Sequence, residues 1–516
     1  MCDVVSRWLV MCGLLGSPCL LTGCAMLPAA RPAAVQTTAL PATATESHFA
    51  VLATSAEAAG VCAHEPIQAV AYVSEARPAE PDPDGQPLDL ATALQLSGGE
   101  SIQVAFARER IKEAFADWSR ARVLWLPSLR LGTAYNKHEG EIQDVAGHVF
   151  DTSRNAFYSG AGASALGAGS PALSGVYAQV PLTDAFFQPR IAEAVTAARQ
   201  SAANGTVNDN LYQTAAAYLE LLRAYQEVAI ARETVENTQG LVDLTQAYAK
   251  SGQGLELDYN RAQAELALRK NDRLRAEEAV QVASARLAEL LRSDPTTGFR
   301  PQEPAVVPLH LHPPEAAVRD QVAQGLASRP EAAESRSLVA EAVQRLQRER
   351  YAPLIPSVLL GVSYGEFAGG LGGRFENSGA RLDADVAAFW ELRNLGAGEQ
   401  AARWQACSRV HQAELRQVGV LDRIAREVVE SHAQVQSRHR QLPIAEEGIQ
   451  LALESYQHNR ERIQDARGLP IEVLQSIQAV TQARREYLRV VTDYNLAQFA
   501  LHRALGWPGE VTGPPN

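Results

Sequence analysis

The sequence of 516 residues lacks, beyond its N-terminal region, any hydrophobic run long enough to cross a membrane as a helix. No stretch of eighteen apolar residues occurs there, which excludes a helical span in the mature protein. Basic residues are also outnumbered, with 47 Lys and Arg against 59 Asp and Glu and a net charge of −12. This acidic balance argues against a nucleic-acid partner.

Residues suited to catalysis or metal binding are sparse. Gly160-Ala161-Gly162 has no following Lys or helix, so it is interpreted as a flexible turn and not as a phosphate-binding loop. His310 and His312 suit a metal, but two flanking prolines and the lack of a third ligand favour a solvated linker. His432 and His439 are assigned to the polar face of a helix. With only 3 Met and no nucleophile turn, we expect no enzyme activity, no cofactor and no metal.

The six cysteines divide between a secretion signal and the mature chain. Residues 1–23 are predicted to be a lipoprotein signal peptide, with an apolar segment from Trp8 to Leu21. Leu21-Thr22-Gly23-Cys24 resembles the bacterial lipobox, which predicts cleavage before Cys24 and attachment of lipid, with acyl chains such as palmitate, to this cysteine. The alternative is an ordinary signal peptide with an incidental cysteine. Cys62 and Cys407 then remain, too far apart in sequence and context for us to expect a disulfide.

The rest of the chain contains an internal duplication. Residues 24–86, rich in Ala, Pro, Thr and Glu, are predicted to be a lipidated flexible tether. The sequence from Leu126 to Tyr135 recurs from Ile355 to Tyr364, each time after a helical segment and before a strand, a long helix, a Gly-containing turn and a shorter helix. The expected domains are a first repeat at 87–300, a linker or equatorial region at 301–313, a second repeat at 314–507 and a C-terminal tail at 508–516.

Both copies of the duplicated segment alternate with period two, as strands do. Partner strands are predicted around Val176–Val180 and Leu382–Trp390, joined to the first strands by loops at 137–171 and 366–380. A soluble sandwich is one explanation of the alternation, and a transmembrane β-barrel with apolar residues outside is the other. Four strands cannot close around a channel, so a barrel requires several copies of the chain. In the barrel interpretation, lipid is faced by Leu131, Tyr135, Leu360, Tyr364, Val386 and Ala388, and the lumen by Arg130, Asn136, Asp383 and Asp385.

Long helices account for most of the remaining length. The sequence predicts long helices at 187–250 and 396–466, returning helices at 257–292 and 469–505, and leading helices at 88–125 and 314–351. Apolar residues recur every seven positions in the second long helix, the signature of coiled-coil packing: Leu421, Val428, Val435, Leu442, Ile449, Tyr456 and Ile463. Pro443 is expected to interrupt that helix. A leading and a returning helix stacked end to end would match one long helix, with 293–313 as an irregular collar at mid-length.

Over residues 86–507 the sequence resembles the TolC-like outer-membrane efflux proteins. The resemblance rests on the duplicated Pro127-Ser128-Leu129 and Pro356-Ser357-Val358, on the strand-to-helix passage from Phe389 to Gly396, and on Ala327-Ser328-Arg329-Pro330-Glu331. It implies a homotrimer whose twelve-stranded barrel lies in the outer membrane and continues as a helical tunnel through the periplasm. Its implied partners are a periplasmic adaptor protein, an inner-membrane transporter and outer-membrane lipid.

The turns between long and returning helices are the expected functional region. The turns at 251–258 and 466–472 superpose at a separation of 214, which pairs Gly254 with Gly468, Leu255 with Leu469 and Asp258 with Glu472. The resemblance implies that the adaptor contacts these tips, at Gly252, Gly254, Leu255, Gly468 and Leu469. It also implies a periplasmic gate lined by Glu472 and, at the matching position, Asp258. The alternatives are ordinary helix-stop glycines and first-turn carboxylates that only favour the helix dipole.

The predicted fold class is therefore α+β, mostly α and internally duplicated: long coiled-coil helices form a periplasmic α-barrel, and four strands per protomer contribute to a trimeric 12-stranded transmembrane β-barrel. The predicted function is that of an outer-membrane channel subunit for exported small molecules or polypeptides, lipid-anchored and extending into the periplasm. An alternative is a lipid-anchored coiled-coil protein that spans the periplasm without channel activity. A third, an outer-membrane enzyme on a helical scaffold, has no candidate catalytic residues.

Overall fold

A computed structural model describes residues 85–126, 128–129, 131–161, 176–296, 298–465 and 467–507, all within one unit that spans Ala69–Asn516. The signal peptide, most of the tether with Cys24, and the C-terminal tail lie outside the described residues. In chain order the elements of the first half are β1 Gln86–Leu88, α1 Leu90–Glu100, α2 Ile102–Arg122, β2 Ser128–Leu129, β3 Leu131–Gln143, β4 Val149–Ala161, β5 Val176–Pro181, α3 Leu182–Ser251 and α4 Glu256–Leu291.

The second half repeats this order. Its elements are β6 Phe299–Pro301, α5 Val318–Ser328, α6 Pro330–Tyr351, β7 Ser357–Leu371, β8 Asn377–Phe389, α7 Ala397–Gln464 and α8 Pro470–Ala504. The long helices α3 and α7 contain 70 and 68 residues, which is about 100 Å of helix each at 1.5 Å per residue. The predicted mostly helical fold with long helices is confirmed.

The helices pack as four neighbouring columns. Helix α3 contacts α2 and α4 on one side and α6 and α8 on the other, and α7 contacts α6 and α8. The columns therefore follow the order α2 with α4, then α3, then α6 with α8, then α7. Two of the columns are stacks of two shorter helices, α2 with α4 and α6 with α8. Each stack matches one long helix in length, as the sequence predicted.

The seven-residue register of α7 forms the seam that it buries against α8. Val428 and Val435 are fully buried there, and Leu442 and Ile463 are nearly so. Burial of such side chains stabilises the seam by about 1.5–3 kcal/mol each. The helix runs through Pro443 without a break, so the predicted interruption is wrong: the neighbouring turns and the contacts with α8 hold the helix across the missing amide proton.

Both leading helices are divided where the sequence predicted single ones. The first divides at Ser101, just after Gly98 and Gly99, and the second at Arg329. Glycine disfavours helix interiors, and the residue before a proline disfavours helical dihedrals. Arg329 precedes Pro330, which is the first residue of α6.

The strands form one sheet in which β7 is central. One edge of β7 pairs with β5 through Ser357–Val362 and with β4 through Tyr364–Leu371, and its other edge pairs with β8. Strand β3 pairs with β4, and the short β2 pairs with β5. The sheet thus has four positions, in the order β2 and β3, β4 and β5, β7, β8.

The strands are longer than the apolar alternation indicated. Most of the predicted loop at 137–171 is strand where it is described, because β3 reaches Gln143 and β4 spans Val149–Ala161. The predicted loop at 366–380 contains the end of β7 and the start of β8. Gly160 and Ala161 therefore lie in a strand and not in a flexible turn. Polar residues continue these strands because the ladder is held by backbone hydrogen bonds, which need no apolar side chain.

The predicted collar at mid-length is more regular than expected. Strand β1 pairs in parallel with β6, and the phenol hydroxyls of Tyr218 and Tyr225 on α3 donate hydrogen bonds to the carbonyl oxygens of Leu88 and Phe299, at 3.0 Å each. The chain then crosses helix α8 as a segment at 307–312, called the strap below.

Candidate functional site

The two helix-hairpin tips have the same backbone construction. In the first, the amides of Gln253 and Gly254 both donate to the carbonyl oxygen of Tyr248, at 3.0 Å. In the second, the amides of Arg467 and Gly468 both donate to that of Arg462, at 2.9 Å. The two acceptors lie 214 positions apart, so the separation found in the sequence is also that of the hydrogen bonds. Such paired bonds satisfy carbonyl groups that a helix end leaves free.

Close backbone approach requires glycine at both tips. A Cβ atom on Gly254 would lie 2.9 Å from the Cβ of Tyr248, and one on Gly468 would lie 3.0 Å from the backbone nitrogen of Ile463. Gly252 has φ +74°, a left-handed conformation that glycine adopts without strain. The glycines thus have local structural roles, as the helix-stop alternative requires.

The two tips contact each other directly. The Tyr248 hydroxyl donates to the carbonyl oxygen of Ile463 at 2.8 Å. A cleft of about 300 Å³ lies between the tips, and its described lining includes five of the predicted site residues: Gly254, Leu255, Asp258, Gly468 and Leu469. Gly252 and Glu472 are not part of that described lining. Leu255, Leu257 and Leu469 are largely exposed around the cleft, which makes an apolar surface at the end of the helical layer.

The two predicted gate carboxylates lie in matching first turns of α4 and α8. Glu472 accepts a hydrogen bond from the amide of Leu469 at 3.3 Å and pairs with Arg462 at 3.3 Å. These are contacts within one chain that cap the start of α8. Asp258 is half-buried at the cleft. The geometry therefore gives Glu472 a local capping role, and its role in a gate stays a prediction.

The register of the sheet pairs like residues with like. Leu360 lies opposite Val386 and Tyr364 opposite Leu382, whereas Gly361 lies opposite Asp385 and Ser363 opposite Asp383. Tyr135, Tyr364 and Val386 are exposed. Between β7 and β8 the backbone register therefore places apolar positions opposite apolar ones and polar or glycine positions opposite aspartates.

Exposed aromatic and leucine side chains mark every junction between a helix and the sheet. Trp125 and Leu126 precede β2, Phe186 follows β5, Leu354 precedes β7, and Trp390 follows β8. Trp and Tyr are enriched where proteins pass from an apolar to an aqueous phase at a membrane interface.

Helix α7 carries a second apolar stripe that the sequence analysis missed. Six large apolar side chains are exposed along it: Trp404, Leu415, Val418, Val429, Ile444 and Leu451. At 100° per residue they project from one side of the helix, about opposite the buried seam. The sequence does indicate this stripe through spacings of 11 residues, from 404 to 415 and from 418 to 429, because residues about three helical turns apart share a face. On α3 the large exposed apolar side chains are limited to Phe186, near its start.

The histidines predicted to be solvated lie in contact with helix α8 or α7. Nδ1 of His310 is 2.9 Å from the Tyr494 hydroxyl, and Nε2 of His312 is 3.0 Å from Nδ1 of His502. His310 is nevertheless exposed and His312 is half-buried, so the linker lies against α8 and is solvated in part. His432 and His439 are half-buried, and each has a buried Nδ1 atom without a hydrogen-bond partner among the described residues. The His439 ring centroid lies 6.3 Å from that of His310 on the strap and 5.9 Å from that of Tyr494 on α8.

Within the described ranges, no group of three or more His, Cys, Asp or Glu residues is placed to hold a metal ion. None of the described helices combines the length and apolar character that a membrane-crossing helix needs.

Comparisons with known proteins give a consistent result at the level of structure. No protein-family model matches the sequence, and no curated protein shows significant sequence similarity to it. The structure is similar to the outer-membrane channel OprN, with 17% identity, a TM-score of 0.67 and coverage of 82% of this chain and 90% of that one. The Vibrio cholerae outer membrane protein VceC matches with 16% identity, a TM-score of 0.65 and coverage of 81% and 96%.

The Campylobacter jejuni CmeC outer membrane channel matches with 14% identity, a TM-score of 0.69 and coverage of 83% and 87%. OprN and CmeC are outer-membrane channels and VceC is an outer membrane protein, and between 87% and 96% of each of these chains is covered by the match. The resemblance noted in the sequence is thus confirmed as a shared fold: the chain has the fold of the TolC-like outer-membrane channels.

Proposed function

We propose that the chain is one subunit of a passive outer-membrane channel. It conducts exported small molecules or polypeptides, received from an inner-membrane transporter through a periplasmic adaptor, to the exterior. The observation that carries the proposal is that the sheet and the helical layer share one order and end in free edges at the same two positions. A layer with free edges at both ends is completed by further copies of itself.

That arrangement supports closure into a ring of three copies. The edge strands β3 and β8 each leave one row of backbone groups unpaired among the described residues, and four strands are too few to enclose a channel. The exposed stripe on α7 lies at one edge of the helical layer, and Leu257, Leu268 and Val282 are exposed on α4 at the other edge. A contact between two different edges generates a closed ring when the rotation closes. Three copies would supply twelve strands.

The outer membrane is the proposed location of the sheet. Its paired apolar positions and the exposed aromatic residues at its junctions with the helices suit a lipid environment on one face. The helices, with lengths near 100 Å, would then extend into the periplasm. Cys24 would carry acyl chains that hold the N-terminus at the same membrane.

The tips are the proposed contact for the adaptor and the proposed gate. The exposed leucines around the cleft, Leu255 and Leu469, offer apolar contact to a partner helix. In a threefold ring, Asp258 and Glu472 would each occur three times near the narrow end of the tunnel, where like charges attract cations. The bonds of Glu472 to Leu469 and Arg462 leave the capping alternative in place for this residue.

The second candidate is a lipid-anchored coiled-coil protein without channel activity. The helical columns favour it equally, but it gives no role to a sheet whose register separates apolar from polar positions. The two candidates differ in conductance. Purified full-length protein inserted into a planar lipid bilayer is expected to give discrete conductance steps, and crosslinking in detergent is expected to give a trimer. Trimers that insert without conductance would favour the structural candidate.

Lipid attachment is tested separately. Cells that express the full chain and take up an alkyne fatty acid are expected to label it, and Cys24→Ser is expected to abolish the label. Cys62→Ser is the matched control and should remain labelled. Equal labelling of the wild-type chain and Cys24→Ser would contradict the lipoprotein proposal without bearing on the channel.

A further inference from the structure

The passage from β8 to α7 contains a turn in an unfavourable backbone conformation. Asn394, Leu395 and Gly396 all have positive φ, at 50°, 57° and 93°. For an L-residue with a branched side chain such as leucine, this left-handed region brings Cβ close to the following carbonyl oxygen. Strain of this kind persists where the surroundings enforce it, and it concentrates at functional sites.

Ion pairs from two helices hold this turn in place. The guanidinium of Arg393 donates from Nε and Nη2 to the two carboxylate oxygens of Glu399 at 2.7 and 2.8 Å, and from Nη2 to Glu349 at 3.0 Å. Glu399 is buried near the start of α7, and the hydrogen bond from Arg393 lowers the pKa of its carboxyl group. The clamp therefore fixes the turn to α6 and α7 at neutral pH.

The held turn presents apolar side chains to its surroundings. Leu395 is 95% exposed, and Leu392 and Trp390 are 60% and 63% exposed. The first repeat has no counterpart, because β5 ends at Pro181 and α3 begins at the next residue, Leu182. The second repeat thus contains an additional turn, which holds Leu395 exposed and away from the protein's own core.

The location of the turn indicates what covers Leu395. It directly continues β8, whose Val386 and Phe389 are exposed, and it lies at the junction level marked by Trp125, Leu354 and Trp390. An apolar side chain next to interfacial tryptophans is the arrangement by which proteins enter the boundary between headgroups and acyl chains. The exposed stripe that suits another copy begins only at Trp404, further along α7.

We propose that the turn at 392–395 inserts Leu392 and Leu395 into the periplasmic leaflet of the outer membrane and acts as a lipid-binding finger. The inference rests on the proposed membrane location of the sheet and adds a contact outside the sheet itself. The finger fixes the depth of the helical layer relative to the membrane, because the Arg393 clamp ties it rigidly to α6 and α7.

The test places an environment-sensitive fluorophore at single cysteines. Leu395→Cys, in full-length protein carrying Cys62→Ser and Cys407→Ser, is labelled with NBD and reconstituted into phosphatidylethanolamine and phosphatidylglycerol vesicles with or without brominated acyl chains. Tyr364→Cys on the sheet is the control for lipid contact, and Glu414→Cys on α7 is the control for water contact. Labels at 364 and 395 are expected to be quenched at least twofold by brominated lipid, and the label at 414 is expected to be unchanged.

The controls separate the possible failures. Quenching at 364 without quenching at 395 would overturn the finger and leave the channel proposal standing. Absence of quenching at both positions would overturn both proposals. Disulfide crosslinking of Leu395→Cys between copies, with no quenching, would make another copy the occupant and would also overturn the finger.

A glycine variant tests the strain independently of labelling. Leu395→Gly adopts the left-handed conformation at low cost, so its thermal unfolding midpoint in detergent is expected to exceed that of the wild-type protein. In the double variant with Leu392→Cys and Leu395→Gly, both leucines of the finger are replaced, and quenching of a label at position 392 is expected to be weaker than in Leu392→Cys alone. A lower midpoint for Leu395→Gly would mean that the leucine packs within the protein, which contradicts the proposal.

Discussion

The two repeats of this chain share a backbone plan but differ in what their long helices touch. Helix α3 has shorter helices on both sides, and its only large exposed apolar side chain is Phe186. Helix α7 has shorter helices on one side and an apolar stripe of six residues on the other. The long helix of the first repeat, α3, thus has two buried faces, whereas the long helix of the second repeat, α7, has one. The difference is the mark of a repeat that ends a layer, and it identifies the surface that a further copy would cover.

The repeats also differ in how they hold the break between their leading helices. At the first break, the Ser101 hydroxyl donates to Oδ1 of Asn210 at 2.9 Å, and Asn210 Nδ2 donates to the carbonyl of Ser97 at 2.9 Å. At the second, Arg329, only 4% exposed, binds Glu331 and Glu427, and a chain of ion pairs continues through Arg503 to Asp209. One repeat uses neutral hydrogen bonds where the other uses buried charge.

The largest predicted effect comes from that buried charge. Arg329→Ala removes a buried guanidinium that pairs with Glu331 and is one of two partners of Glu427, and it should lower the free energy of unfolding by about 3–5 kcal/mol. Asn210→Ala at the neutral break should cost about 1–3 kcal/mol. Guanidinium unfolding in detergent measures both. Arg329→Met combined with Glu427→Gln serves as the control and should recover part of the loss, and equal costs at the two breaks would remove the distinction between the repeats.

A charge on the exposed stripe should affect assembly and leave the subunit folded. Leu415→Glu is expected to weaken the association of copies by about 1.5–3 kcal/mol per interface, measured by light scattering in detergent, with unchanged helical circular dichroism. Leu222→Glu on α3 should reduce both signals because that side chain is buried within one chain. Gln405→Glu is the matched surface control. An unchanged mass for Leu415→Glu would mean that the stripe is not an interface.

Acid should loosen the strap before it loosens the pairing of β1 with β6. Burial lowers the pKa of His312 and of His502 below the ordinary 6.5, so the folded state favours neutral imidazoles. Stability from this pair is therefore complete above about pH 6.5 and is lost as the pH falls through the lowered values. The pairing of β1 with β6 is held by backbone hydrogen bonds and by the hydroxyl of Tyr225. Burial raises the pKa of Tyr225, so this contact stays uncharged over the same pH range.

Hydrogen exchange, corrected for the intrinsic effect of pH, measures this difference. Protection at 307–312 is expected to fall between pH 7.5 and 5, whereas protection at 299–301 should persist. The variant with His312→Gln and His502→Gln should lose the pH dependence of the strap. A parallel loss of protection at 307–312 and at 299–301 would indicate global unfolding and would contradict a local role of the imidazoles.

The smallest effects are expected at the tips, where the two repeats are most alike. Glu472→Gln should reduce the cation preference of the channel in bilayer recordings if the carboxylate lines the pore, and Asp258→Asn should do the same. If Glu472 only caps α8, selectivity is unchanged and stability falls by about 0.3–1 kcal/mol. Unchanged selectivity in both single variants and in the double variant would exclude a carboxylate ring from conduction.

The sequence predicted best the elements in which one periodicity persists. The seven-residue register of α7, with Val428 and Val435 at its centre, predicted from sequence alone both a long helix and the face that it buries. The strands were predicted only over their apolar part, because the polar residues beyond Tyr135 pair through the backbone and leave no hydrophobic signal. The tip glycines were found because their spacing was duplicated.

Other parts of the candidate site depend on contacts that sequence does not encode locally. Nothing near His312 in the chain indicates His502, since 190 positions separate them. The finger at Leu395 has a partial signal in the neighbouring Asn394 and Gly396, which both tolerate positive φ. Leu395, which lies between them, is not a residue type that favours positive φ, so the strain is identified only by the observed dihedral angles.

The strap is recognised through its peptide groups. Asn495 accepts from the amide of Leu309 and donates to the carbonyl of Val307, both at 2.8 Å, and Gln498 accepts from the amide of His312 at 2.8 Å and donates to its carbonyl at 3.1 Å. The side-chain amides of Asn495 and Gln498 thus pair with the backbone of the strap as the peptide groups of a neighbouring strand would. Because they read the spacing of backbone groups, the strap is specified mainly by its length: substitutions at exposed Leu311 should be tolerated, whereas inserting one residue between Leu309 and His312 would misalign both amides at once.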